Sequence, residues 1–186
     1  MNPKKSLFFE CDMQDKFADH CHNYACVQHN AIRLVKLANI FEAPIIATHQ
    51  VKFGAIDAEV AKHHPEGIPI FEKSKFSMIN SAVAEVLEGL KQDTAILFGN
   101  DAHVCVKQTA FDLMKMGYHV HLVVDACSAM GATERAVGIQ SMRDQGVQIT
   151  TFESLAFEML GDSEHPKFKQ VLALLKDRFA GEQLGL

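Results

Sequence analysis

Thr94-Ala95-Ile96-Leu97-Phe98-Gly99-Asn100-Asp101-Ala102-His103-Val104-Cys105 opens as a buried strand and closes in the first turn of a helix. Thr94 to Gly99 is a short apolar run bounded by a turn residue, the pattern of a strand covered on both faces. From about Val104 to Met116 the apolar positions fall at helical spacing, and Gly117 ends the run. A strand that feeds straight into a helix is the repeating unit of an α/β sheet. The rest of the chain can be read outward from it.

The same alternation continues on both sides. Ser6 to Asp12 reads as a mostly buried strand, and Asn23 to Phe41 as a helix with Ala25, Val27, Ile32, Val35, Leu37 and Ile40 at helical spacing. Pro44 to Thr48 is a second strand, introduced by a proline that cannot extend the helix. Ile70 to Glu72 makes a short third strand and Ser81 to Leu90 a helix. Downstream, His119 to Val124 is a strand, and Thr133 is placed to cap a helix reaching about Gln145, with Glu134 in its first turn. Gly146 separates that helix from the strand Val147 to Thr150, and helical segments over Phe152 to Leu160 and Pro166 to Phe179 finish the chain. Between Gln50 and Pro69, Gly54, Pro65, Gly67 and Pro69 predict a long loop with one helical turn, and such loops inside compact domains tend to be functional.

Strands alternating with helices predict a three-layer α/β/α Rossmann-like fold with a six-stranded, mostly parallel sheet in the order 3-2-1-4-5-6, as one domain over 1–186. That order sets strands one and four side by side at the topological switch point, where ligands bind beyond the carboxyl ends of the strands. The expected site therefore lies just after Asp12, Phe71 and Phe98.

Composition bounds the alternatives. The 186 residues are 48% apolar and 22% charged, ordinary for a globular domain. A formal charge of −5 with scattered Lys and Arg gives no footprint for nucleic acid, and no apolar run approaches the roughly 20 residues that span a bilayer. The opening Met1 to Ser6 lacks the apolar stretch of a signal peptide, so the expected location is the cytoplasm, with mitochondria second. Cys11, Cys21, Cys26, Cys105 and Cys127 are odd in number and form no Cys-x-x-Cys pair, which disfavours a disulfide scaffold.

Three residues at strand ends carry chemistry. Asp12 follows a run too apolar to need a charge, which suits a desolvated acid or base as well as a turn residue. Cys105 lies where helix-terminal N–H groups stabilise a thiolate and can receive an oxyanion, although a cysteine there can also be a small buried hydrophobe. Lys73 and Lys75 flank Ser74 beyond the third strand; at most one is expected to face the site, where it would lower a thiol pKa.

The motifs Phe8-Phe9-Glu10-Cys11-Asp12-Met13-Gln14-Asp15-Lys16-Phe17, Lys73-Ser74-Lys75-Phe76-Ser77-Met78 and Gly99-Asn100-Asp101-Ala102-His103-Val104-Cys105-Val106-Lys107-Gln108-Thr109-Ala110 resemble those of isochorismatase-like cysteine hydrolases. The stretches Asp112-Leu113 to Gly117-Tyr118 and Val124-Asp125-Ala126-Cys127-Ser128 fit as well, and the likeness runs from about residue 6 to 160, nearest to the isochorismatase-domain-containing subgroup. The resemblance implies a catalytic triad of Asp12, Lys73 and Cys105, with Lys73 preferred over Lys75, and a non-proline cis peptide at Asn100-Asp101 beside an oxyanion hole. Asn100 and Asp101 depart from the small or apolar residues usual there. Gln14, Phe17, Phe76, His49 and His103 are the candidate pocket residues. Nicotinamidase-type members hold a metal through an Asp-x-His pair after the second strand; this chain has Thr48-His49-Gln50-Val51-Lys52 instead, so no metal or other cofactor is expected, even with His49, His63 and His64 nearby.

The resemblance implies hydrolysis of a small-molecule substrate, best an amide C–N bond, by a homo-oligomer (dimer or tetramer). The apolar face of the last helix (Val171, Leu172, Leu174, Leu175, Phe179) offers either an interface or a surface for the chain's own core. Two rivals stand beside hydrolysis. One is a binding or scaffold protein that keeps the pocket without turnover. The other is a redox-sensing thiol, which needs Cys11 or Cys127 beside Cys105.

Overall fold

The computed structural model describes residues 1–181 and Leu184; residues 182, 183, 185 and 186 of the expected 1–186 domain lie outside the described residues. Six strands, β1 (Ser6–Cys11), β2 (Ile45–Gln50), β3 (Ile70–Lys73), β4 (Thr94–Gly99), β5 (His119–Cys127) and β6 (Gln148–Thr150), form one sheet in the order 3-2-1-4-5-6. Every pairing in it is parallel. Helices cover both faces, as parallel strands require. On one side lie α1 (Tyr24–Phe41), the short α2 (Ala58–Ala61), α6 (Phe152–Leu160) and α7 (Phe168–Lys176); on the other lie α3 (Ser81–Glu88), α4 (Lys107–Lys115) and α5 (Ala132–Asp144).

Strand alternation sorts the core. Leu7, Phe9 and Cys11 of β1 pack on the α3/α4/α5 side, and Phe8 packs on the α1 side. Local polar groups fix the helix starts: the Asn80 carboxamide accepts the Val83 N–H at 2.9 Å ahead of α3, and Asp57 accepts the Glu59 and Val60 N–H groups ahead of α2. The expected cap at Thr133 is not one. Here α5 starts two residues earlier, after Gly131 in extended conformation, and Thr133 is exposed in the first turn.

Two strands outrun the sequence expectation. β5 continues through Asp125-Ala126-Cys127 because the Asp125 carboxylate accepts the Phe152 N–H at 2.9 Å, which compensates a charge within the strand. β2 continues through His49-Gln50, paired with Glu72 and Lys73 of β3. The apolar face of α7 turns inward, with Val171 and Leu175 buried in the α1-side core, so the reading in which it covers the chain's own core holds. Among the described residues no helix is long and apolar enough to cross a membrane.

Candidate active site

At the carboxyl end of β1 the chain reaches Asp12, which leaves the strand with φ of 51°. Its N–H still donates to the Thr48 carbonyl at 3.1 Å, so the residue stays tied to β2 while its carboxylate turns off the sheet. Asp is among the few non-glycine residues that tolerate this left-handed region. The Asp12 carboxylate is fully buried. Oδ1 accepts the Thr48 hydroxyl at 2.9 Å, and Oδ2 lies 2.7 Å from Lys73 Nζ and 3.7 Å from Cys11 Sγ.

Lys73, the last residue of β3, is equally buried. Its ammonium donates to Gln50 Oε1 at 2.7 Å, to the Phe76 carbonyl at 2.9 Å and to the Lys75 carbonyl at 3.3 Å. A buried cation thus has one carboxylate and a ring of oxygens around it, which satisfies its donors in fixed directions. Burial works against the charge, but Cys11, Asp12 and Cys105 outweigh it, and the Lys73 pKa is raised. Lys75 points away and lies 3.4 Å from Asp112 at the surface. The strand pleat alone would put residues two apart on one face; the pair diverges because the chain leaves β3 at Lys73 and bends through the next residues.

Cys105 arrives from β4. Gly99 has φ of +116°, and a Cβ built there would fall 2.0 Å from the Cys11 carbonyl oxygen. Only a glycine lets β4 end this close to β1. The following Asn100-Asp101 peptide is cis, and Ala102–Val106 forms a wide π-type turn ahead of α4. The helix start expected at about Val104 is therefore this wider turn, and Cys105 lies within it, almost fully buried. Thr109 pins the turn: its hydroxyl donates to the Cys105 carbonyl at 2.7 Å and accepts the Met78 N–H at 2.9 Å. This one hydroxyl couples the cysteine turn to the segment after Lys73. Behind the turn, Gly138 of α5 approaches so closely that an added Cβ would meet His103 Cα at 2.8 Å.

The Asp101 N–H makes no hydrogen bond among the described residues. The Asn100 side chain faces inward, accepting from Cys21 Sγ at 3.5 Å and donating to Met13 Sδ at 3.6 Å. Burial raises the Asp101 carboxyl pKa, partly offset by the Cys21 hydrogen bond and by His103.

The other expected residues scatter around this centre. Gln14 braces the covering loop: its amide donates to the Gln50 and Gly54 carbonyls and its oxygen accepts the Gln50 N–H at 2.8 Å. Phe17 is buried and stacks on Phe53 of that loop with 5.0 Å between ring centres. Phe76 offers its carbonyl to Lys73 while the residue is 52% exposed. His49 is half-buried, and His103 Nδ1 is buried without a hydrogen-bond partner. Thr48, Gln50 and Thr109 belong to the site and were not singled out by the sequence. Pairing of Gln50 with Lys73 in adjacent parallel strands is the signal that finds Gln50.

The place where a metal would be held does not fit one. Gln50 gives its oxygen to Lys73 and its amide to the Ser74 carbonyl at 3.0 Å, and His64 is turned onto Glu10 at 2.9 Å. Among the described residues no group of three His, Cys, Asp or Glu side chains is arranged to hold a metal ion. A surface cavity of 510 Å³ lined by Val124, Arg143, Gly146, Thr150, Ser154 and Glu158 lies along the β5–β6 edge, apart from these groups.

An isochorismatase domain model matches residues 6–154, which includes every strand and the whole of the Asp12, Lys73 and Cys105 arrangement. The chain belongs to the isochorismatase domain family. Within the family it is 33% identical over 175 residues to isochorismatase domain-containing protein 2 of Homo sapiens, covering 94% of this chain and 85% of that protein. Among solved structures it is similar to one described as the MAR1 ribonuclease of Caenorhabditis elegans, at 36% identity and a TM-score of 0.94, covering 100% of this chain and 96% of that one. The Escherichia coli YcaC product, described as an octameric hydrolase of unknown specificity, shares the fold with a TM-score of 0.86 at 19% identity, over 95% of this chain and 89% of that one.

Proposed function

We propose that this isochorismatase-family domain is a metal-independent cysteine hydrolase that opens an amide C–N bond in a small molecule. The observation that carries the reading is the buried Asp12–Lys73 pair at 2.7 Å beside an almost buried cysteine at the switch point of the sheet. Such an arrangement supplies a base, a cation and a nucleophile at fixed positions, at a cost in desolvation that a merely structural pair has no need to bear.

In the proposed reaction Asp12 takes the Cys105 proton and the thiolate attacks the carbonyl carbon. The oxyanion is received by the Asp101 and Cys105 N–H groups. Asp12 then returns the proton to the departing amine, and water, deprotonated by Asp12, releases the acid from the thioester. Lys73 pairs with the Asp12 carboxylate and offsets the charge of the thiolate. Thr48 and Gln50 hold the two charged groups in register and touch no reacting atom.

The active oligomer is proposed to be a homodimer or homotetramer of this single domain, in the cytoplasm and without a cofactor, a nucleic acid or a membrane as partner. A panel of small amides assayed with the wild-type protein and with Cys105→Ala tests the reading. Turnover is expected with the first and loss by about 10³-fold or more with the second. Iodoacetamide labelling near neutral pH adds a substrate-free readout, in which Cys105 should outpace the other four thiols. Slow, uniform labelling together with no turnover would favour a binding protein. A structured RNA belongs in the panel because of the ribonuclease relative; cleavage of RNA but of no amide would overturn the assigned substrate class.

A further inference from the structure

Cys11 has no part in the hydrolysis described above, yet its thiol lies beside Asp12 and among the groups that act on Lys73. It is the last residue of β1, next to Asp12, and pairs with Gly99 of β4, the strand that delivers Cys105. Its sulfur is 3.7 Å from Asp12 Oδ2, and it shares one packed cluster with Cys105. The two thiols are near enough that Cys105 is among the groups raising the Cys11 pKa.

We propose that Cys11 is a resolving thiol, and that a hydroperoxide converts Cys11 and Cys105 into a reversible intramolecular disulfide that silences the site. The proposal rests on the reading of Cys105 as the reactive thiolate.

Burial in the sheet, then the neighbouring Cys105 and Asp12, raise the Cys11 pKa well above the ordinary thiol value, and Lys73 offsets them only in part. Cys11 therefore stays protonated and is a poor first target for an oxidant, whereas Cys105 keeps a small exposure and lies near enough to Lys73 to act on its charge. In the first step the Cys105 thiolate attacks the terminal peroxide oxygen. The O–O bond breaks, the leaving oxygen takes from Asp12 the proton that Cys105 gave up and departs as water or an alcohol, and the sulfur becomes a sulfenic acid. In the second step Cys11 gives its proton to Asp12 and its sulfur attacks the Cys105 sulfur. The S–S bond forms, the S–O bond breaks, and the leaving hydroxide takes the proton from Asp12 as water. The two electrons lost by the thiols are those gained by the peroxide, and a dithiol reductant reverses the change.

The other thiols are engaged elsewhere. Cys21 donates to Asn100 Oδ1 and to Asp101 Oδ1 at 3.6 Å, and Cys26 donates to the Asp125 carbonyl in the layer beyond the sheet. Cys127 flanks Gly99 from the β5 side, and Cys105 is not among the groups that act on it, as it is for Cys11.

Tryptic mapping gives the test without an enzyme assay. Cleavage after Lys5 and Lys16 yields a 6–16 peptide with Cys11 as its single cysteine, and cleavage after Lys91 and Lys107 yields a 92–107 peptide with only Cys105. The full chain is treated with hydrogen peroxide, alkylated and digested. The expected product is 6–16 linked to 92–107, lost on treatment with dithiothreitol. In Cys11→Ser the 92–107 peptide should instead carry sulfinic or sulfonic acid that dithiothreitol does not remove. Wild-type protein in which Cys105 is oxidised while Cys11 remains alkylatable overturns this proposal alone, as does a link from Cys105 to the Cys127 peptide. A Cys105 left untouched by peroxide overturns the nucleophile reading as well.

Discussion

Replacing Asp12 by Asn and Lys73 by Met, singly and together, measures how the site holds two charges out of water. At 2.7 Å and an effective dielectric of about 20, the attraction between them is on the order of 6 kcal/mol. Desolvation costs several kcal/mol per ion, so the intact pair contributes little net stability, while removing one partner leaves the other charged and buried. Each single variant is therefore expected to lose about 3–5 kcal/mol. Lys73→Met also leaves Gln50 Oε1 and the Phe76 carbonyl without the ammonium, at about 1–3 kcal/mol for each group that finds no water. That second loss persists in the double variant and cancels from the cycle. What remains is the pair's coupling, expected at about 3 kcal/mol or more, so that the double variant is far more stable than the sum of the singles predicts.

Urea unfolding at pH 7 gives these values from the shift in midpoint at constant slope. Substrate turnover should be abolished in all three variants, so stability and activity part company in the double. Additivity within about 0.5 kcal/mol would refute the account, because two groups in one ion pair cannot behave as independent sites. So would single variants within about 1 kcal/mol of wild type, since that would mean water reaches the pair.

Gly99→Ala should be the more damaging of two glycine substitutions: the added carbon meets the Cys11 carbonyl at 2.0 Å in a left-handed conformation, and strain plus overpacking cost about 2–6 kcal/mol in a urea melt. A variant with the wild-type midpoint would show that β4 does not need this close approach. Gly138→Ala should behave differently, because about 1 kcal/mol of helix propensity offsets part of the clash with His103. Its turnover should fall by about 10²-fold as the turn holding Cys105 shifts, with little change in melting temperature; equal losses in both would contradict a positioning role. Thermal stability should also decline as pH rises. Folded-state pKa values of Cys11, Cys127 and Lys73 lie above their ordinary values, so the unfolded chain releases protons first, from about pH 9 for the thiols and about pH 10.5 for the lysine. Their stabilisation is fully present below those values and lost above them. A melting temperature that stays level from about pH 8 to pH 11 would count against these shifts.

The sheet is legible in the sequence because its signal is local. Four- to six-residue apolar runs set between helical periods admit few arrangements once the crossover rule is applied. The ends of β2 and β5 are harder to read, since His49-Gln50 and Asp125 are polar and local reading stops a strand at the first polar residue. Their partners are supplied by other strands and helices: Lys73 for Gln50, and the Phe152 N–H for Asp125. The lysine pair makes the same point from the other side. Pleat geometry would have sent Lys73 and Lys75 the same way, and only the bend after β3, fastened through Thr109 and Met78, separates them.

The site shows where reading by residue type ends. Asp12, Lys73 and Cys105 stand out because charge and sulfur at strand ends are unusual for a core, whereas Thr48, Gln50 and Thr109 look like ordinary strand and helix residues. Yet these three decide where the charged groups point, and each is found only through a contact between segments distant in sequence. Cys11 is the extreme case: its neighbours make it one more buried strand position, and alternation assigns it to the core, where it is. The pleat also sends it to the face opposite Phe8, the face on which the turn after β4 delivers Cys105. The same alternation that hides Cys11 in the core therefore turns it to the face of the proposed nucleophile, so a core residue and the proposed resolving thiol are one reading of the strand rather than two.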